Sequence, residues 1–210
     1  MIDTANPQAP RYPALTGRDQ DEVPFGVTPS QTVGPYVHIG LEPDWTTSGT
    51  LAEPGSPDHI RVSIAVVDGE GTPVADAMIE TWQADASGRF VDDVPLVGGS
   101  GFTGFSRVFA DETGTVTIDT VRPGAIGDGA GGTQAPHLEV GVFARGILKR
   151  LVTRLYFPED VEAHAGDPVL ALLPEDRRGL LIADHRDGTY HLTIALQDSP
   201  AGPETPFFDL

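Results

Sequence analysis

Three stretches of this chain carry side chains that could do chemistry. The first is His137-Leu-Glu139. Residues two apart on a β-strand face the same way, so the imidazole and the carboxylate would project together. Such a pair could supply two ligands to a metal ion. The plainer alternative is a histidine in ordinary hydrogen bonds beside a surface glutamate, because two ligands do not make a site. The second is Arg145, which ends the run Val140-Gly-Val-Phe-Ala-Arg145 just before Gly146. A guanidinium at a strand end suits the clamping of a carboxylate through two parallel hydrogen bonds. A surface ion pair is the commoner use of such a residue. The third is Thr28-Pro-Ser-Gln-Thr-Val-Gly-Pro-Tyr-Val-His38. Its two prolines and one glycine predict an extended, turn-rich segment. Gly34 would allow close backbone approach and Tyr36 would offer a phenol on a rigid mount; a purely structural arm is the alternative.

Composition removes several other chemistries. The 210 residues contain 13 Lys+Arg against 31 Asp+Glu, a formal net charge of −18, and no Cys. Without Cys there is no disulfide scaffold, no thiolate-held zinc or iron–sulfur cluster and no Cys nucleophile. That is compatible with a cytoplasmic address. The acidic balance argues against binding a phosphate backbone or an anionic membrane. No G-x-S-x-G elbow, P-loop or post-strand G-x-G-x-x-G is present, and the acids show no EF-hand spacing. No apolar run approaches the ~18 residues of a spanning helix. Residues 1–27 read as a polar, Pro-punctuated arm without a signal-peptide pattern, and residues 28–210 as a single domain.

The elements that must position these groups are strands. Period-two patterns run over Ile60–Val67, Val74–Ala84, Phe105–Ala110, Thr115–Val121, His137–Ala144, Leu151–Phe157 and Tyr190–Leu196. Asp68-Gly-Glu-Gly71, Asp85-Ala-Ser-Gly88 and Asp111-Glu-Thr-Gly114 read as the turns that punctuate them. Helix-start signals occur only at Pro158–His164 and Pro174–Leu180. Short strands with frequent glycine turns predict an all-β chain folded as a β-sandwich. Residues 91–104 and 124–134 are expected to be Gly-rich loops and 41–58 a connector, the places where a sandwich carries its sites.

Six motifs occur in one order: Thr28-Pro-Ser-Gln-Thr-Val-Gly-Pro-Tyr-Val-His-Ile-Gly-Leu41, Glu80-Thr-Trp-Gln-Ala-Asp-Ala-Ser-Gly88, Thr120-Val-Arg-Pro-Gly124, Ala135-Pro-His137, Phe143-Ala-Arg-Gly146 and Thr153-Arg-Leu-Tyr-Phe157. Together, with the Phe207-Phe-Asp-Leu210 end, they resemble the intradiol ring-cleavage dioxygenases from residue 28 onward. The resemblance implies a β-sandwich with long loops. It also implies a reaction in which O₂ opens a catechol ring between its two hydroxylated carbons at a non-haem ferric iron held by two Tyr and two His.

Matched residue by residue, the iron ligands are not all here. The two Tyr positions correspond to Phe90 and Ile126, and the two His positions to His137 and Glu139. The position of an Arg that steadies the ring during attack in the family corresponds to Gln134. The resemblance therefore implies a vestigial site that holds no metal, the pattern of the alpha subunit in two-subunit members. The ferric iron (Fe3+) would belong to a beta subunit, and this chain would line that subunit's site with Thr32, Gly34, Pro35, Tyr36 and Arg145. The substrate implied is a catechol bearing a carboxylate, in a higher hetero-oligomer that is inactive as the isolated chain. Two other readings stay open at this point: a non-catalytic sandwich used as a binding module, and a rebuilt metal-dependent catechol dioxygenase using His137, Glu139 and Tyr36 or Tyr156.

Overall fold

Repeated Asp-x-x-Gly turns set the strand lengths. In each, one carboxylate oxygen of the Asp accepts the backbone N–H groups two and four residues on. Asp68 takes Glu70 and Thr72, Asp85 takes Ser87 and Arg89, and Asp111 takes Thr113 and Thr115, all at 2.8–3.1 Å. The closing glycines Gly71, Gly88 and Gly114 have φ of +78°, +79° and +71°, a conformation that costs glycine nothing. These bonds hold all three Asp carboxyls below the usual carboxylate range. The largest cause is the backbone bond from Thr72 for Asp68, and the Ser87 and Thr113 hydroxyls for Asp85 and Asp111.

A computed structural model describes residues 31, 32, 34–41, 49–91, 102–129, 131–200 and 202–208. Its strands are β1 (His59–Val67), β2 (Met78–Trp82), β3 (Phe105–Phe109), β4 (Thr115–Val121), β5 (Ile126–Gly127), β6 (Thr133–Gln134), β7 (His137–Phe143), β8 (Leu151–Tyr156), β9 (Asp184–Arg186) and β10 (Thr189–Ala195). They form two four-stranded sheets, β4-β1-β10-β9 and β3-β2-β7-β8, with β5 and β6 as a separate short hairpin. Among these described strands only β1 and β10 pair in parallel. The inner faces follow from period two. Val62, Ile64, Val66, Val116, Ile118, Leu192 and Ile194 of the first sheet pack on Ile79, Leu138, Val140, Val142 and Leu155 of the second. A buried polar clip joins the sheets at one end: Thr120 Oγ1 donates to Gln83 Oε1 at 2.8 Å, and Gln83 Nε2 donates to the Val121 carbonyl at 2.8 Å. The expected sandwich is therefore the observed one, and all seven expected strands are present with ends shifted by a few residues.

Three local features differ from expectation. The Thr28–His38 stretch is not extended throughout, because Pro35–Leu41 is a helix, α1. Pro35 opens it with a backbone angle already suited to a helix, and Gly34 at φ +63° makes the entry turn. The 124–134 segment is not wholly loop but carries β5 and β6, with Ile126 opposite Gln134. Strand β9 lies on an exposed edge with no apolar pattern to announce it. The two expected helix starts appear as α2 (Val161–Gly166) and α3 (Glu175–Arg178), the latter running into a 3₁₀ turn at Gly179–Leu181.

The 1–27 arm lies outside the described residues, as do 92–101 of the first loop, 42–48 of the connector, and Asp209 and Leu210. Met1–Gln31 and Thr32–Leu210 separate as two units. Among the described residues no helix is long and apolar enough to cross a membrane.

Candidate functional site

The outer face of the β3-β2-β7-β8 sheet brings together His137, Glu139, Gln134 and Tyr156 of the side chains singled out from the sequence. Glu139 on β7 lies opposite Arg154 on β8, and His137 lies opposite Tyr156. Arg154 is the hub. Its Nε donates to Glu139 Oε1 at 2.9 Å, and one terminal nitrogen reaches the same oxygen at 2.7 Å. The other terminal nitrogen donates to Gln134 Oε1 at 2.8 Å and to the Tyr156 hydroxyl at 3.2 Å. Tyr156 donates onward to Asp167 Oδ1 at 3.3 Å. Asp167 is buried and also accepts the backbone N–H groups of Ala135, Val169 and Leu170 at 2.8–2.9 Å. One guanidinium thus draws together β6, β7 and β8, and the Tyr156–Asp167 link ties that hub to the segment after α2.

His137 is neutral in this setting. Burial pushes its imidazole below the usual histidine range and the Arg154 charge pushes it further, against weaker opposing effects from the Ala135 carbonyl, Glu139 and Asp167. Its Nδ1 lies 2.7 Å from the Ala135 carbonyl oxygen, which can only accept, so Nδ1 carries the proton. Its Nε2 stands 3.9 Å from Glu139 Oε1, beyond hydrogen-bond reach. Burial also pushes the Tyr156 phenol well above the usual tyrosine range. The other two matched positions hold no donor. Phe90 lies near-parallel to the Trp82 ring at 6.0 Å, and Ile126 belongs to the β5–β6 hairpin.

These residues do not fit a ferric ion held by two phenolates and two imidazoles. Phenylalanine and isoleucine have no oxygen to give, and the Glu139 carboxylate is taken by Arg154. A fixed cation already sits among the acids there. Spacing on the strand singles out His137 and Glu139 but neither Arg154 nor Asp167. A signal was available: Arg154 is the one charge in the apolar run Leu151-Val-Thr-Arg-Leu-Tyr-Phe157, one strand away from an acid on the same face.

A pH dependence follows for stability. The unfolded chain takes up a proton at His137 near its ordinary value of 6.5, whereas the folded chain refuses it until lower pH. The stabilisation is complete above that value and declines as pH falls through the window beneath it, by at most ~1.4 kcal/mol per pH unit for one proton. His164, also pushed down by burial, acts in the same direction. Urea midpoints at pH 7.0 and 5.5 should therefore differ less in His137→Gln than in the parent. An equal difference in both would reassign the effect.

The second group lies at the end of the same sheet, around a cleft of about 500 Å³. Met78, Phe109, Phe143 and Val37 make an apolar lining, and Thr32, Gly34, Asp76 and Arg145 also border it. Arg145 is 82 % exposed, with its Nε 3.6 Å from Asp76 Oδ1. Thr32 is already engaged, its hydroxyl oxygen accepting the Gly146 backbone N–H at 2.9 Å. His38 of α1 packs its ring edge-on to Phe109, with centroids 4.3 Å apart. Of the five residues expected to line a partner's site, Thr32, Gly34 and Arg145 border this one cleft. Pro35 and Tyr36 belong to α1 by backbone, and their side chains lie outside the described residues.

Comparison with known proteins adds to this geometry. A family described as Dioxygenase matches residues 44–197. The protocatechuate 3,4-dioxygenase alpha chain of Burkholderia cepacia is 40 % identical over 199 residues, covering 87 % of this chain and 97 % of that protein. The beta chain from the same organism is 32 % identical over 173 residues, covering 79 % of this chain and 69 % of that protein. Among solved structures, catechol 1,2-dioxygenase from Acinetobacter sp. ADP1 shares the fold. Its TM-score is 0.52 at 19 % identity, over 77 % of this chain and 60 % of that one.

Proposed function

This chain belongs to the intradiol ring-cleavage dioxygenase family, and on that footing we propose that it is the alpha subunit of a protocatechuate 3,4-dioxygenase. In this reading the chain works in a complex with a beta subunit, which carries the non-haem iron. The complex opens 3,4-dihydroxybenzoate with O₂ to give 3-carboxy-cis,cis-muconate. The observation that carries the proposal is a division between two places on one sheet. Where the family holds iron, this chain has Phe90, Ile126 and an Arg154–Glu139 ion pair. At the end of that sheet an exposed Arg145 stands beside an apolar cleft. The greater identity and fuller coverage of the alpha relative support the same side of the division.

The chain then contributes recognition and shape. Arg145 offers a carboxylate-binding fork at the edge of an apolar wall suited to a ring. A protein of net charge −18 needs such a local cation to attract an acid. In the complex, Arg145→Ala should raise KM for 3,4-dihydroxybenzoate roughly 10- to 150-fold, the worth of a charge-assisted hydrogen bond of about 1.5–3 kcal/mol. KM for plain catechol, which lacks the carboxylate, should change little. Equal losses on the two substrates would remove Arg145 from substrate recognition.

A further inference from the structure

The turn that presents Arg145 is held from two sides by side chains far away in sequence. Gly146 donates its N–H to Thr32 Oγ1, as described above. Arg145 donates its own N–H to Asp76 Oδ2 at 3.3 Å. The other oxygen of Asp76 is buried, makes no hydrogen bond and lies 3.6 Å from Arg145 Nε. Asp76 is itself fixed. It occupies the short turn before β2, where Ala77 donates to the Val74 carbonyl and Val74 to the Val66 carbonyl. Among the described residues Arg145 is the one Lys or Arg that borders the cleft, and an acid beside it needs a physical reason if the ligand is itself an acid.

We infer that Asp76 is a positioning residue for Arg145, fixing both its backbone and the Nε edge of its guanidinium so that the two terminal nitrogens face a substrate carboxylate. The inference rests on the proposed role of Arg145. The long arginine side chain has many rotamers, and a free one would lose them on binding. Asp76 takes that loss in the unliganded protein and leaves the terminal nitrogens, which make no hydrogen bond among the described residues, to the ligand. Repulsion between Asp76 and an incoming anion opposes this. Solvent screens this repulsion and the Asp76–Arg145 attraction alike, while the Asp76 Oδ2 bond to the Arg145 N–H orders the turn regardless.

The test uses the assembled complex with 3,4-dihydroxybenzoate and catechol as paired substrates. Asp76→Asn keeps an acceptor for the Arg145 N–H but removes the charge, and Asp76→Ala removes both. KM for the carboxylated substrate should rise about 3- to 10-fold in Asp76→Asn and further in Asp76→Ala. kcat and both constants for catechol should stay near those of the parent. In an Arg145→Ala background, Asp76→Asn should add nothing. A fall in KM, or equal losses on both substrates, would overturn the inference. Should Arg145→Ala discriminate between the substrates while Asp76→Asn does not, the inference fails and the Arg145 reading stands. Should Arg145→Ala itself fail to discriminate, the reading beneath the inference is what has failed.

Discussion

Replacing Arg154 by methionine should lower the stability of the protein by about 3–5 kcal/mol, the cost of leaving a largely shielded acid without its cation. Methionine keeps most of the volume, so the loss is electrostatic rather than a cavity. The Arg154 side chain is 11 % exposed and that of Glu139 22 %, so water screens the pair poorly. Removing the guanidinium strands the Glu139 carboxylate and also takes a donor from Gln134 and from the Tyr156 hydroxyl. Urea unfolding at fixed protein concentration measures it, as a lower midpoint with little change in slope. Two further variants separate charge from packing. Arg154→Lys should recover only part of the loss, since one ammonium cannot serve Glu139, Gln134 and Tyr156 in the same fork. Adding Glu139→Gln to Arg154→Met should restore stability, because the stranded charge is gone. A loss under 1 kcal/mol, or a double variant no better than Arg154→Met, would mean that the ion pair does not hold this face together.

The same network shows why the fold was easier to read than the site. The strands announce themselves locally: Val62, Ile64 and Val66 alternate with exposed or half-buried neighbours, and an Asp-x-x-Gly turn follows. Each signal lies within ten residues, and each reports a local force, apolar burial or turn geometry. Helix α1 went unread because Pro35 and Gly34 have two structural uses, and only the surrounding fold selects the helix entry. The hub required knowing that β7 and β8 pair with Glu139 opposite Arg154. No spacing in the sequence states that register. Asp167, which fastens the Tyr156 end of the network, sits in an irregular segment with no period to mark it. That Phe90 and Ile126 carry no oxygen was legible because a side chain's type is a local fact. That Arg154 takes the Glu139 carboxylate was not, because that is a fact about pairing. Arg145 falls between the two: its residue type and strand end were visible, but the Asp76 and Thr32 bonds that hold its turn span 69 and 114 positions.

Gly88→Ala should be the most damaging single-methyl change in the described turns, at about 2–5 kcal/mol. Two costs add. Gly88 has φ of +79°, where an L side chain loses about 1–2 kcal/mol. A Cβ there would also run into the Ala125 carbonyl oxygen, and overpacking against backbone costs roughly 1–3 kcal/mol more. The neighbour cannot yield easily. A Cβ on Gly124 would in turn lie 2.6 Å from Gly88 N and 2.7 Å from Ala86 O, so two backbones already touch through two glycines. That contact brings together the turn leading to Phe90 and the one leading to Ile126, supported by the Gly124 N–H donating to the Asp85 carbonyl at 2.9 Å. Gly55→Ala is the control. It has φ of +90° but nothing within 4 Å of the added atom, so it should show the conformational cost alone. The difference between the two midpoints isolates the backbone contact. The near-parallel Trp82–Phe90 arrangement supplies an independent readout, because spreading the turns should alter the near-ultraviolet circular dichroism of Gly88→Ala and leave that of Gly55→Ala unchanged. Equal losses in both variants would mean that the turn conformation alone is at stake and that the glycine pair does not set the spacing of these two loops.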